Sequence, residues 1–398
     1  MAITIGIPRE TFPGERRVSM TPRVIEALAK AGGALVERGA GESAGFHDIE
    51  YEERGARIVR ERAEVFQADL VLQVRTAAAN PEAGAADLPL LRAGQTVVGF
   101  AEPLTAAREC AEVAGRGAAL FALELMPRIT RAQSMDALSS MATVAGYKAV
   151  LIAADLLPRM FPMLMTAAGT IAPARVFVLG AGVAGLQAIA TARRLGAVVS
   201  AYDVRSAVKE QIESLGARFV SMPVAAEAAE DRGGYARALG EDFYRAQREF
   251  LMSVIREQDV VITTAAVPGK QAPVLITAAM VAAMAPGSVI VDVAAERGGN
   301  CEVTRPGETT VYSGVTVVGA LNLPSLVPYH SSQMLARNIA AFVRHLAGGN
   351  SSLVIDPGDE IVRETLVAYQ GEIVHPRVRE ALGLVKTAAN GKGGPGAH

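Results

Sequence analysis

Residues 174–203 read ARVFVLGAGVAGLQAIATARRLGAVVSAYD, and the fold turns on them. An apolar run at 176–179 ends on Gly180, Ala181, Gly182, Val183, Ala184 and Gly185. A helical pattern follows to about Leu195, and a second apolar run ends on Asp203. The spacing predicts strand, glycine turn, helix, strand and acid, the opening of a dinucleotide-binding unit. Gly180 permits the tight turn, Gly182 lets the backbone approach a pyrophosphate, and Gly185 lets the helix pack on the strand. The pyrophosphate then rests on the free N–H groups of the helix start, where the dipole favours an anion. Asp203, eighteen residues after Gly185, is placed to accept both hydroxyls of an adenosine ribose. A carboxylate there repels a 2′-phosphate, which selects NAD over NADP, although Arg205 two positions on tempers that preference.

Outward from this unit, the 398 residues are enough for two or three domains, and half of them are hydrophobic. A net charge of −2 offers no counterpart to a nucleic acid or an acidic membrane surface. Cys110 and Cys301 are far apart and suggest neither a disulfide framework nor a metal site, and the five histidines show no ligand spacing. The start, MAITIGIPRE, reads as a strand rather than a signal peptide. The most apolar region, 149–172, carries Asp155, Arg159, Pro158 and Pro162, which argues against direct membrane insertion. The expectation is a soluble, cytoplasmic protein.

Strand candidates before the glycine turn fall at 3–7, 34–37, 69–74, 96–100 and 119–125, with helical patterns between them. Thr21 and Pro22 mark a helix start. From the turn onward six candidates follow, at 175–179, 198–202, 217–220, 260–264, 288–293 and 315–318. Alternating strands and helices predict an α/β chain of two Rossmann-like or flavodoxin-like parallel-sheet domains flanking a cleft. Long helices at 137–157 and 332–346 would link them. The domains are then 1–137 with 326–398, and 138–325, with a Gly/Pro-rich tail at 391–398. The stretch 222–250 is long for a crossover between strands. It reads either as an elongated helical connection or as a mobile lid whose flexible point is Gly233, Gly234 and Tyr235.

A second constellation, LMPRITRAQSMD at 125–136, packs Arg128, Arg131, Gln133 and Asp136 at the junction of the two domains. It reads as a solvated interdomain loop, or as a device in which Arg128 and Asp136 pair and fix Gln133 toward a nicotinamide. No Ser/His/Asp or Cys/His arrangement is visible, so the chemistry falls to the nucleotide and its orientation to the protein.

These residues resemble the alanine dehydrogenase/transhydrogenase family, and within it the NAD(H)-binding alpha component of proton-translocating NAD(P) transhydrogenase. The resemblance runs from IGIPRE at 5–10 through ALELMPRITRAQSMDALSS at 122–140, VLGAGVAGLQAIATARRLGA at 178–197, GGYARALGEDF at 233–243, ITTAAVPGKQAPVLIT at 262–277 and GSVIVDVAAERGGNC at 287–301. It implies that Arg128, Ile129, Thr130, Gln133 and Asp136, with Ser139 nearby, contact NAD and hold the nicotinamide, making Gln133, Arg128 and Asp136 the catalytic set. It further implies Val183 against the pyrophosphate, Asp203, Val204 and Arg205 around the ribose, and Gly234 and Tyr235 in a closing loop. Gln247 falls on a contact position. Thr264, Ala265 and Ala266 line the far side, Ala266 being smaller than the expected leucine. The implied activity is direct hydride transfer from NADH to NADP(H) on a separate beta subunit, with further subunits spanning the membrane. A homodimer, peripheral to the inner membrane through those partners, is implied too, with no metal.

The rival within the family is alanine dehydrogenase, whose chemistry uses a lysine in the substrate domain and a histidine one strand later. Here those positions fall on Arg75 and around Phe100 and Ala101. An arginine can hold a carboxylate, but nothing at the second position shuttles a proton near neutral pH. The acid expected after the fifth Rossmann strand is Glu296 in place of aspartate. A non-catalytic NAD-sensing module is the third reading.

Overall fold

The structure, a computed structural model, describes residues 3–28, 33–222, 241–266, 269–348 and 352–384, without the side chains of 241–244. The predicted lid residues Gly234 and Tyr235 lie outside the described residues. The chain divides into two compact units, Met1–Leu138 with Pro328–His398, and Ser139–Val327.

In the first unit, β1 (Ile5–Ile7), β2 (Ala34–Glu37), β3 (Arg57–Val59), β4 (Leu70–Arg75), β5 (Thr96–Phe100) and β6 (Ala119–Ala122) pair in parallel, in the spatial order 3-2-1-4-5-6. The central strands are near-continuous apolar runs because both sheet faces are covered: Leu70, Val71, Leu72 and Val74 are all buried. Strand β3 has no counterpart among the strands expected from sequence. It is a three-residue edge, RIV, whose first residue is exposed.

The second unit begins within the helix Ala137–Leu156. Among the described residues this helix alone is long and apolar enough to cross a membrane. It begins upstream of the stretch singled out from the sequence, and its residues Ala145, Ala149, Val150 and Ala153 are buried in a protein core. A separate hairpin follows, β7 (Leu164–Thr166) and β8 (Gly169–Ile171). The main sheet holds β9 (Arg175–Leu179), β10 (Val198–Tyr202), β11 (Arg218–Phe219), β12 (Val260–Thr263), β13 (Val289–Asp292), β14 (Thr309–Tyr312) and β15 (Val315–Gly319), ordered 11-10-9-12-13-15-14. Six of these are parallel and repeat the order of the first unit; β14 is antiparallel to β15. Alternation divides the strand residues between two cores. Val176 and Val178 pack with Ala188 and Ile189 of the helix Val183–Arg194. Phe177 and Leu179 pack with Leu251 and Ile255 of the helix Glu241–Ile255. Each such buried side chain contributes roughly 1.5–3 kcal/mol.

Back in the first unit, the helix Pro328–Ala347 is followed by β16 (Leu366–Tyr369) and β17 (Glu372–Ile373), which extend the first sheet antiparallel from β6. Neither these strands nor β14 are expected from the sequence pattern. The antiparallel pairs β14/β15 and β16/β17 turn through two residues with positive φ, Ser313 with Gly314 and Gln370 with Gly371. That is the backbone of a tight hairpin. Serine and glutamine are weaker turn signals than the asparagine usual there, so the edges stay hidden in the sequence.

Candidate functional site

In the second unit the strand order reverses between β9 and β12, which opens a crevice outside their carboxyl ends. The glycine turn fills the β9 side of it. Gly180 takes φ +96°, and a Cβ there would meet Thr264 Oγ1 at 2.8 Å. A Cβ on Gly185 would lie 1.8 Å from the Gly180 carbonyl oxygen, so helix and turn approach more closely than any side chain allows. Gly182 is different: it is exposed, and a Cβ there meets nothing within 4 Å. The helix Val183–Arg194 starts from Gly182 without a side-chain cap and without an acidic residue in its first turn. Its first N–H groups and the positive end of its dipole therefore suit an anion. Open space over Gly182 at an uncapped helix start fits a nucleotide pyrophosphate.

Thr264 ties the two strand ends together: its N–H donates to Leu179 O (2.8 Å) and its hydroxyl to Gly180 O (2.9 Å). Behind it lies a buried polar network that no sequence motif announces. Asp292, fully buried at the end of β13, accepts from Thr263 Oγ1, Thr304 Oγ1 and the N–H groups of Ala294, Asn300 and Cys301. Asn300 grips the Ala265 peptide on both sides, accepting from its N–H at 3.0 Å and donating to its carbonyl at 2.8 Å. The available signal was an aspartate closing an apolar strand eight residues before the asparagine of GGNC. Glu296 accepts from the N–H of Asn322.

Asp203 closes the β10 side. It is 8 % exposed and accepts from the Ala181 N–H inside the glycine turn at 2.7 Å. Its other donors all come from Arg205: the backbone N–H, Nε and Nη2, each at 2.9 Å. Val204 is half-buried beside it. Gln247 lies behind β10, 1 % exposed, donating to Tyr202 Oη at 3.0 Å. Its Oε1 has no partner among the described residues. Burial, first, then the Asp203 charge push the Tyr202 hydroxyl up, against the Gln247 hydrogen bond. The crevice thus gathers Gly180, Gly182, Val183, Gly185, Asp203, Val204, Arg205, Thr264, Ala265 and Ala266.

The second constellation belongs to the first unit. Thr130–Met135 is a 3-10 turn flanked by Ile129 and Asp136, pinned by the buried side chains of Ala132 and Met135. Asn338 of the helix Pro328–Ala347 donates to Ser134 O, and Arg131 pairs with Asp359 at 2.7 Å. Against a small burial penalty, hydrogen bonds from Arg131 and His345 hold the Asp359 carboxyl well below the usual carboxylate range. With its ends fixed, the turn leaves Arg128, Thr130 and Gln133 exposed and Asp136 half-buried. Ser139 lies on the following helix, its carbonyl accepting from Thr143 Oγ1.

The first sheet has its own reversal, between β1 and β4, and its own side chains fill it. Glu10 accepts the N–H groups of Val74 and Arg75. Arg17 and Glu15 form a buried bidentate pair (both 2.7 Å), with Arg75 Nε 3.7 Å from the same carboxylate. The Arg75 guanidinium lies 4.2 Å over the ring of Phe12. Burial and then the Glu15 charge push the Glu10 carboxyl up to about 8, against its two N–H bonds and Arg17. One strand over, Glu124 accepts from the N–H groups of Ala101 and Glu102, and burial and Glu102 push it up to about 7. Phe100 and Ala101 bring no proton shuttle, and Arg75 is already answered by Glu15. A cavity of about 890 Å³ lined by Asp69, Gly94, Arg116 and Gly371 lies at the opposite, amino-terminal ends of these strands. No group of His, Cys, Asp and Glu suited to a metal occurs among the described residues.

Two family models match the chain: "Alanine dehydrogenase/PNT, N-terminal domain" over residues 6–145 and "Alanine dehydrogenase/PNT, C-terminal domain" over residues 149–376. An NAD(P) transhydrogenase alpha subunit of Rhodospirillum rubrum is 46 % identical over 376 residues, covering 94 % of this chain and 98 % of that one. The alanine dehydrogenase of Halomonas elongata is 32 % identical, covering 96 % and 97 %. Among solved structures, the transhydrogenase from Sinorhizobium meliloti superposes with a TM-score of 0.81 at 41 % identity, covering 94 % of this chain and 99 % of that one.

Proposed function

The chain belongs to the alanine dehydrogenase/PNT family, and within it we propose that it is the NAD(H)-binding component of a proton-translocating NAD(P) transhydrogenase. One observation carries the nucleotide assignment: the Asp203 carboxylate sits on the N–H of Ala181, at the mouth of the glycine turn, where a ribose diol is accepted and a 2′-phosphate repelled. The similarity to a transhydrogenase alpha subunit over 94 % of the chain supports the reaction. So does the first unit, whose acid/base positions for the alanine reaction fall on Phe100 and Ala101 and whose Arg75 faces Glu15.

In this reading the substrate NADH supplies a hydride, and its acceptor is NADP⁺ on a separate beta subunit. The N–H groups at the start of the helix Val183–Arg194 hold the pyrophosphate, and Asp203 with Val204 holds the ribose. Thr264, Ala265 and Ala266 line the nicotinamide side, held by Asn300. Gln133, with Arg128 and Asp136, sets the nicotinamide orientation, and the loop of Gly234 and Tyr235 closes to exclude water. No side chain has to move a proton, so positioning is the main catalytic lever. Coupling to proton translocation belongs to membrane-spanning partner subunits, which keep this component at the cytoplasmic side of the inner membrane. A homodimer completes the reading. Its support is the hairpin β7/β8 and its approach, where Met160, Met163, Met165 and Ile171 are exposed, Met165 by 77 %.

Mixed with an NADP-binding component, the protein is expected to exchange hydride between NADH and NADP⁺ analogues. Gln133→Asn should lower that transfer about tenfold or more while changing NADH affinity by less than about twofold. Pyruvate formation from alanine and NAD⁺ would overturn the assignment in favour of alanine dehydrogenase.

A further inference from the structure

The carboxylate assigned to the adenosine ribose is fully engaged within the chain itself. An ionised aspartate offers about four lone-pair sites. Asp203 receives four donors: Ala181 N–H and Arg205 Nη2 on Oδ2, Arg205 N–H and Nε on Oδ1. Two are backbone groups fixed by the turn and by the strand end. The other two form a side-by-side fork from one guanidinium, the strongest geometry available to a carboxylate. The pair is nearly dry, with side-chain exposures of 6 % and 13 %. A ribose diol brings two O–H donors, the same number the guanidinium supplies. Both sets cannot sit on the carboxylate together.

We propose that Arg205 is an internal competitor of the adenosine ribose at Asp203, and that release of its guanidinium from the carboxylate is part of nucleotide binding. Before binding, the fork neutralises a buried carboxylate that would otherwise be an uncompensated charge. After release, the guanidinium stands beside the 2′ position, where it offers a phosphate the cation that Asp203 denies it. Arg205 therefore lowers affinity for NADH and raises it for NADPH, and the selectivity of the site is set by the pair. The inference rests on Asp203 being the ribose acceptor.

The test is equilibrium binding of NADH and NADPH to the full-length chain and to Arg205→Ala, Arg205→Gln and Asp203→Asn. The expected result is NADH binding tightened about threefold or more in Arg205→Ala and Arg205→Gln, with NADPH weakened about threefold or more, and NADH loosened about tenfold in Asp203→Asn. Loss of packing alone would not tighten a ligand, so the direction separates competition from a structural role. Should Arg205→Ala fail to fold, Arg205→Gln carries the same expectation, since it retains the stem without the charge. Looser or unchanged NADH binding in the Arg205 variants, alongside a damaged Asp203→Asn, would overturn the competitor while leaving the nucleotide site standing. An Asp203→Asn that binds NADH normally would remove the ribose assignment and the inference with it.

Discussion

The two sheets share the order 3-2-1-4-5-6 and differ at the place where it reverses. In the second unit the strand after the reversal meets a glycine turn, an uncapped helix and exposed backbone at Gly182. In the first unit the same place holds Glu10, Phe12, Glu15, Arg17 and Arg75, which satisfy one another's charges and cap the end of β4. Topology therefore creates the crevice, and local residues decide whether a ligand or the chain itself fills it. Where side chains fill it, ionisable groups are buried and their protonation shifts; where backbone lines it, N–H groups stay available to an anion.

The largest effect should come from collapsing the open crevice. Gly185→Val puts a branched side chain on a position whose Cβ already falls 1.8 Å from a carbonyl oxygen. The second unit should lose more than about 4 kcal/mol of stability, read by denaturant unfolding, with NADH binding lost. Near-native stability would mean that helix and turn are not in close contact. Gly182→Val separates room from fold. Its Cβ meets nothing, so the melting temperature should stay within about 2 °C while NADH affinity falls about tenfold or more. Unchanged affinity would move the pyrophosphate elsewhere.

The filled crevice should reveal itself through pH. The folded pKa of Glu10 lies near 8 and its ordinary value is 4.5, so between them the folded chain holds a proton that the unfolded chain has released. Stability is fully present below about 4.5 and is lost as pH rises toward 8, by at most about 1.4 kcal/mol per pH unit. Glu124 adds a similar decline between 4.5 and about 7. Thermal unfolding from pH 5 to 8.5 should show this fall, and Glu10→Gln should flatten part of it. An identical slope in the variant would show that Glu10 is ionised and paired instead.

Much of the second unit was legible because its signals are local. Strand candidates at 175–179 and 198–202 coincide with β9 and β10, and the glycines and Asp203 carry their geometry in their spacing. The edges were not legible. β3, β14, β16 and β17 are short, and their registers depend on the strand they join rather than on any internal period. The site divides in the same way. Gly180, Gly182 and Gly185 could be named from sequence, whereas Asn300 and Asp292 could not, because their role lies in reaching Ala265 and Thr263 across the fold.

The sequence by itself determined that the chain is α/β, that one unit carries a dinucleotide turn, and that an acid follows it at ribose distance. Those properties follow from hydrophobic period and from the conformations open to glycine, which act over a few residues. Only the tertiary structure decided that the reversal of the first sheet is closed by its own charges, and that the Asp203 carboxylate is already held by Arg205. Charge pairing depends on distance and burial, and those are set by packing rather than by separation along the chain.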